Sequence, residues 1–357
     1  MITKFRNERS EARLRLDELK SALQKYIRRG EEAKALRVAE ELDKFADAGE
    51  GGERIRTNFI HRLQVIYLED VGLGNVALWP RMVNWINVIK QERKKPEGER
   101  NRDKEVLAIK AAVSNMCRSK KCRIGSYLSS LGFMRAGRQA DVKKVDGRRY
   151  MGQLASAEEL RGTVPELCDR LEKVLAVQPV TPRIECLSTA LLKVIVNRGG
   201  LTPKHRKLVL SKLAVLPFID CANEWLPDIG HLREAYQLVF QPLAAHLYGP
   251  PPLQLWSDRA LGLGGEWERT EMFKLDEYVY DKHVRGGINA KVPGYFVEIS
   301  SLVIPELTTM PLDLKWVYGG WRGVKQTRQA KALENEWRRS MRTRPGWNRR
   351  LIIQSFI

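Results

Sequence analysis

The chain has 357 residues, 43% hydrophobic and 29% charged, an ordinary globular composition that excludes disorder throughout and exceeds one average domain. Sixty-two Lys and Arg against 43 Asp and Glu leave a formal charge of +19, more than solubility requires, so a polyanion is the first partner to expect, nucleic acid leading. The N-terminal stretch mixes acids with bases and no apolar run reaches the roughly 18 residues of a membrane span, so the expectation is a soluble protein of the cytoplasm, nucleoid or nucleus with no membrane partner.

Leu16, Leu19, Leu23 and Ile27 recur at helical spacing and predict a helix over 6–27, with Gly30 closing its C-terminal end. Ala35, Val38, Leu42 and Phe45 predict a second over 31–47, with Glu31 and Glu32 at its positive N-terminus. The string AGEGGER at 48–54 reads as a flexible loop. Phe59, Leu63 and Ile66 carry a helix over 55–71, which Gly72-Leu73-Gly74-Asn75 stops sharply. Trp79, Met82, Ile86 and Ile89 mark a helix to about Lys94 with Pro80 in its first turn. Beyond the polar loop KKPEGERNRD, the positions Val106, Ile109, Val113 and Met116 give the fifth. Five helices joined by short loops describe an all-α bundle over 1–133.

Residues 134–149, MRAGRQADVKKVDGRR, hold six Lys or Arg against two Asp and read as a basic connector. A second helical domain is expected over 150–248, with helices at 157–175, 182–197, 203–216 and 229–247. Thr181-Pro182 and Thr202-Pro203 supply matching N-cap signals there. Gly249-Pro250-Pro251-Pro252 opens an irregular segment, 249–357. It has room for one short strand pair, at 295–299 and 314–318, and ends in a basic helix over 324–341 and an Arg-rich tail. The fold class is thus mainly α.

The five cysteines, Cys117, Cys122, Cys168, Cys186 and Cys221, are odd in number and lie mostly in apolar helical surroundings. Reduced, buried thiols fit better than disulfides or a metal site, since Cys117 and Cys122 stand five apart with no second pair. His61, His205, His231, His246 and His283 are scattered singly. No glycine cluster ends in the Lys-Ser/Thr that cradles nucleotide phosphates, so nucleotide hydrolysis is not expected. No metal or cofactor is assigned.

One string, Asp276 to Gly287, concentrates titratable and aromatic groups. The simplest reading is a surface loop with Tyr278 and Tyr280 turned inward at strand spacing. A second has Lys282, His283 and Arg285 holding a phosphate. A third has Asp276, Asp281 and His283 as catalytic candidates for metal-assisted phosphodiester chemistry.

Charge is the firmest functional evidence. Between Lys90 and Arg149 stand 18 Lys or Arg against seven acids, and between Arg322 and Arg350 ten against two. Such clusters release condensed counterions from a nucleic-acid backbone and bind it with little regard to sequence. The candidate phosphate contacts are Lys94, Lys95, Lys120, Lys121 and Arg123 on the bundle, and Lys143, Lys144, Arg148 and Arg149 on the connector. Lys282, Arg285, Arg322, Arg338, Arg339 and Arg342 follow. Trp316, Trp321, Trp337 and Trp347 lie in or beside the last cluster, where an exposed indole can stack on an unpaired base.

The stretch SALQKYIRRGEEAKALRVAEEL at 21–42, followed by HRLQVIYLEDVGLGN at 61–75, resembles the C-terminal region of replication-associated recombination ATPases of the RarA/MgsA type and their clamp-loader relatives. Arg62, Glu69, Asp70 and Gly72 match that family's R-x-x-x-x-x-x-E-D-x-G string. The resemblance covers about residues 15–120 and implies a collar-like helical module that helps the family oligomerise and work at DNA replication structures. The nucleotide-binding module of the family is missing, so motor or loader activity does not carry over. Acids close to a helix C-terminus oppose its dipole unless paired, and Arg62 or an arginine from a neighbouring helix is the expected partner.

These observations favour a non-catalytic accessory protein that binds nucleic acid, DNA before RNA, in replication, repair or genome handling, as a homo-oligomer or beside a replication protein. The alternatives are a self-assembling scaffold and a metal-dependent nuclease centred on 276–285.

Overall fold

The computed structural model describes residues 8–123, 158–196, 240–247 and 274–280, with isolated positions at 125, 128, 156 and 284. The described residues are mainly α-helical. The helices are α1 (Leu16–Arg29), α2 (Glu32–Asp43), α3 (Gly49–Ile66), α4 (Trp79–Arg93), α5 (Arg102–Arg118), α6 (Val164–Leu175) and α7 (Pro182–Ile195); residues 240–247 are helical as well. The expected basic connector, the helices at 203–216 and 324–341, the strand pair and Cys221 lie outside the described residues.

The first helix starts ten residues later than its periodicity suggests. Ser10 to Leu14 closes a turn, with the Ser10 N–H on the Leu14 carbonyl at 2.9 Å and Arg13 in the left-handed region at φ 59°. Glu18 then accepts the Arg15 N–H at 2.9 Å, satisfying one of the donors that a helix start leaves over. At the other end Gly30 takes φ 70°. Its N–H bonds the Ile27 carbonyl and the Glu31 N–H bonds the Tyr26 carbonyl, the paired closure that turns the chain straight into α2.

The expected loop at 48–54 is instead the opening of α3. A tight 3-10 turn, Lys44–Ala48, leads into it. Gly52 lies so close to that turn that a Cβ would sit 1.8 Å from the Phe45 carbonyl oxygen. Glycine serves close approach here, not flexibility. The helix expected over 55–71 ends its regular winding at Ile66, widens through a π turn at Tyr67–Val71 and tightens again over Gly72–Leu78. Gly72 at φ 42° makes the transition, and Asn75 is extended within the tight stretch.

Helix α1 packs on α2, α2 on α5, and α4 on α5. Leu19, Leu23, Tyr26, Ile27, Phe59, Leu63, Ile66, Met82, Ile89 and Val113 fill the space between them, fully buried, each full burial of such a side chain stabilising by about 1.5–3 kcal/mol. Helix α6 starts at Val164 rather than at 157, because Thr163 and Glu166 form a reciprocal cap: Glu166 Oε2 accepts the Thr163 N–H at 2.6 Å and its hydroxyl at 3.0 Å. Helix α7 starts as expected, the Thr181 hydroxyl accepting the Ile184 N–H at 3.3 Å. The helical residues 240–247 connect these parts. Gln241 donates to the Leu68 carbonyl at 2.8 Å, and His246 Nε2 lies 3.0 Å from the Leu175 carbonyl at the end of α6. No helix among the described residues is long and apolar enough to cross a membrane.

Candidate functional site

Asp70 stands in the π turn and is fully buried. The Arg28 guanidinium reaches it from α1 at 2.6 Å and Arg123 from beyond α5 at 3.2 Å. Gln24 donates one amide to both Glu69 (2.6 Å) and Asp70 (2.9 Å), and its carbonyl accepts from Arg62. Burial by itself raises a carboxyl pKa. Here the charges of Arg28 and Arg123, with the hydrogen bonds from Arg28 and Gln24, outweigh it and hold Asp70 below the ordinary range. The partner of Asp70 is therefore mainly an arginine of the neighbouring helix, while Arg62 acts through Gln24.

The chain after α5 is fastened to the same place. The Cys122 N–H bonds the Asp70 carbonyl at 3.0 Å, and Asn75 donates to the Ser119 hydroxyl at 2.8 Å. Gly74 admits this segment: a Cβ there would lie 2.4 Å from the Lys120 carbonyl oxygen. Lys121 turns back under the end of α5, and its Nζ donates to the carbonyls of Met116 (2.7 Å), Cys117 (3.0 Å) and Ser119 (2.5 Å). A cation there answers both the leftover carbonyls and the negative end of the helix dipole. Burial pulls its ammonium down to about 8 and pushes the neighbouring Cys117 thiol up to about 12.

A second internal network lies between α2, α3 and α5. Arg56, fully buried, meets Asp43 at 2.6 Å and Glu105 at 2.5 Å. Arg100 bridges Glu105 (2.5 Å) and Glu53 (2.8 Å). Arg102 reaches Asp43 at 2.8 Å and Arg93 reaches Glu53 at 2.9 Å. Four guanidiniums thus face three carboxylates inside the bundle, and much of the local basic excess is structural.

This placement corrects two expected phosphate contacts. Lys121 is fully buried and Arg123 is 6% exposed, each engaged inside the fold, so neither offers its charge at the surface. Lys94 and Lys95 are exposed and Lys120 is half-buried; Lys95 lies 2.8 Å from Glu92. Lys104 is also exposed, a surface cation that its place in the sequence does not single out. The candidates Lys143, Lys144, Arg148, Arg149, Lys282, Arg285, Arg322, Arg338, Arg339 and Arg342 lie outside the described residues, as do Asp281, His283 and the four tryptophans of the C-terminal cluster.

Residues 274–280 pack on α1 and α2. A single 3-10 turn, Glu277–Val279, replaces the expected strand spacing. Val279 is the residue turned fully inward, while Tyr278 and Tyr280 are half-buried. Asp276 lies 2.9 Å from Lys34. Burial alone would raise its carboxyl, but hydrogen bonds from Lys34, Tyr26 and Tyr278 and the Lys34 charge lower it below the ordinary range. It is occupied as an ion-pair partner. Buried Lys25 and half-buried Ser21 both donate to the Val279 carbonyl, a pairing across more than 250 residues that no local spacing announces. Among the described residues no group of three His, Cys, Asp or Glu is arranged to hold a metal ion. The four described cysteines are buried thiols; Cys122 follows the end of α5 rather than continuing it.

Compared with known protein families, with curated proteins and with solved structures, the chain matches none.

Proposed function

We propose that this protein binds nucleic acid, DNA before RNA, through phosphate contacts made by Lys and Arg, as a non-catalytic accessory in replication, repair or genome handling. The observation that carries the reading is where the charge resides. Residues 8–123 hold 26 Lys and Arg against 19 acids, and their buried arginines are neutralised by Asp43, Glu53, Asp70 and Glu105. That stretch contributes +7 of the total +19. The rest of the excess lies elsewhere, with +4 in 134–149 and +8 in 322–350. The helical body adds exposed Lys94, Lys95 and Lys104 and half-buried Lys120, and a backbone of phosphates is the ligand such a charge distribution fits best.

The resemblance to the collar region of RarA/MgsA-type ATPases supports a collar-like role for about residues 15–120. Asp70 of the matching string clamps the π turn to α1 and to the segment after α5, with Glu69 and Arg62 joined to it through Gln24. A self-assembling scaffold is the competing reading that such a bundle favours.

Fluorescence anisotropy with a labelled duplex tests the proposal. Joint reversal of Lys143, Lys144, Arg148 and Arg149 to Glu is expected to weaken binding to all sequences alike and to flatten the logarithmic salt slope by about 3–4, near 0.9 for each lost phosphate contact. Unchanged affinity and slope would reject this placement of the interface.

A further inference from the structure

The contact between 274–280 and the α1–α2 hairpin has the anatomy of a recognised peptide. Its main chain is held at two points: the Asp276 N–H donates to the Tyr26 hydroxyl at 3.2 Å, and the Val279 carbonyl accepts from Lys25 at 2.8 Å and Ser21 at 2.7 Å. Its side chains are read one by one. Lys34 takes the Asp276 carboxylate at 2.9 Å, and Glu31 takes the Tyr278 hydroxyl at 2.6 Å. The Arg29 guanidinium lies 3.9 Å over the Tyr278 ring, and the Tyr26 ring meets it edge-on at 6.0 Å. Leu275 and Val279 are the buried apolar anchors.

The receiving residues all come from 21–34, and the hairpin is closed by its own Gly30 turn and packed on α5. The Gly30 closure and the packing on α5 are made by residues outside the segment. Main-chain bonds supply affinity and pockets for alternate side chains supply selectivity in short-motif recognition, and a preformed receiver keeps the ordering cost on the peptide alone.

We propose that the α1–α2 face is a peptide-binding site for a partner polypeptide carrying a segment of the form Leu-Asp-x-Tyr-Val, with residues 275–279 of the same chain as its resident competitor. Charge complementarity sets the partner's chemistry: a carboxylate for Lys34, and a phenol that gives its ring to Arg29 and its hydroxyl to Glu31. The tethered copy competes intramolecularly, at an effective concentration set by the chain that joins it to the hairpin. A partner peptide therefore binds the unsubstituted chain weakly, and strongly once the tethered copy is weakened.

The probe is a labelled peptide of residues 274–280, Lys-Leu-Asp-Glu-Tyr-Val-Tyr, titrated with the full chain by fluorescence anisotropy. The double variant Tyr278→Ala/Val279→Asp vacates the site and is expected to bind the peptide at least about ten-fold more tightly than the unsubstituted chain. Adding Lys34→Glu to that variant removes most of the gain, and a peptide carrying Asp276→Lys restores it. Should the double variant lose helix content by circular dichroism, Tyr278→Phe takes its place. It deletes only the hydroxyl's bonds to Glu31 and, within the segment, to Asp276, and is expected to raise peptide binding about five-fold or more. No gain in the vacated or Tyr278→Phe chain, indifference to Lys34→Glu, or competitive displacement of the peptide by a short oligonucleotide overturns the proposal, the last by making the face a phosphate site.

Discussion

Removing the Asp70 carboxylate should be among the most destabilising single substitutions in the bundle, because it takes a shared counter-charge from two guanidiniums that have almost no access to water. The Asp70 side chain is 0% exposed, and those of Arg28 and Arg123 are 5% and 7% exposed. Breaking one buried pair typically costs about 3–5 kcal/mol, mainly the penalty of the charge left behind. Two arginines share one acid, so the losses do not add, and Asp70→Ala is expected within the same range of about 3–5 kcal/mol. Asp70→Asn keeps the shape and an acceptor for Gln24 but not the charge, and should fall between that value and the unsubstituted chain. Urea unfolding followed by circular dichroism measures both, with the slope against denaturant checked for constancy. Asp103→Ala, at an exposed site in the first turn of α5, is the control, expected to cost under about 1 kcal/mol. The pH dependence has a fixed sign. The Asp70 carboxyl is held below its unfolded value of about 3.9, so its contribution is complete above that value and is lost as pH falls through the folded one. Asp70→Asn lacks this component of acid unfolding. A loss below about 1 kcal/mol in Asp70→Ala, or an acid limb unchanged in Asp70→Asn, would refute the bracing role.

Two glycines of α3 should respond oppositely to alanine. A methyl added at Gly51 meets nothing within 4 Å, whereas one added at Gly52 meets the Phe45 carbonyl oxygen at 1.8 Å. Thermal unfolding should show Gly51→Ala more stable by about 0.5–1 kcal/mol, and Gly52→Ala less stable by about 1–3 kcal/mol; the same sign in both would contradict the close packing. Lys121 and Cys117 should act in opposite directions between about pH 8.5 and 10. The folded chain releases the Lys121 proton near 8 and the unfolded chain near 10.4, so Lys121 makes stability rise with pH. Cys117 keeps its proton to about 12 when folded and to about 8.5 when unfolded, so it makes stability fall. Lys121→Met should tilt the measured slope downward and Cys117→Ala upward, and shifts of one sign would reject the assignment.

The helices were legible where an apolar stripe and a terminal signal agreed. Thr181-Pro182 set the start of α7 and Gly30 the end of α1, each through a local bond that neighbours in sequence can make. Thr163 and Glu166 spell the same kind of signal, three residues apart, at the true start of α6, and an apolar stripe extending upstream hides it. The AGEGGER string misleads because glycine has two uses. Composition reports the chance of flexibility, whereas Gly52 answers a carbonyl seven residues away. Lys121 and Arg123 mislead about the interface for another reason. A row of cations looks alike in sequence whether it faces water or caps a helix and pairs with a buried acid. Asp70 supplied a hint, since an acid near a helix end needs a cation, and the candidates on neighbouring elements could not be ranked without their positions. The pairing of Lys25 with Val279 had no local signal at all.

The use proposed for the surplus positive charge is to hold a polyanion. The direct measurement is anisotropy of a labelled DNA duplex with the full chain, repeated from about 50 to 200 mM salt. Tight binding is expected at the low end, with a linear fall of log K against log salt and a slope near −0.9 for each phosphate contacted. Absence of binding at the lowest salt, or an affinity indifferent to salt, would contradict the claim.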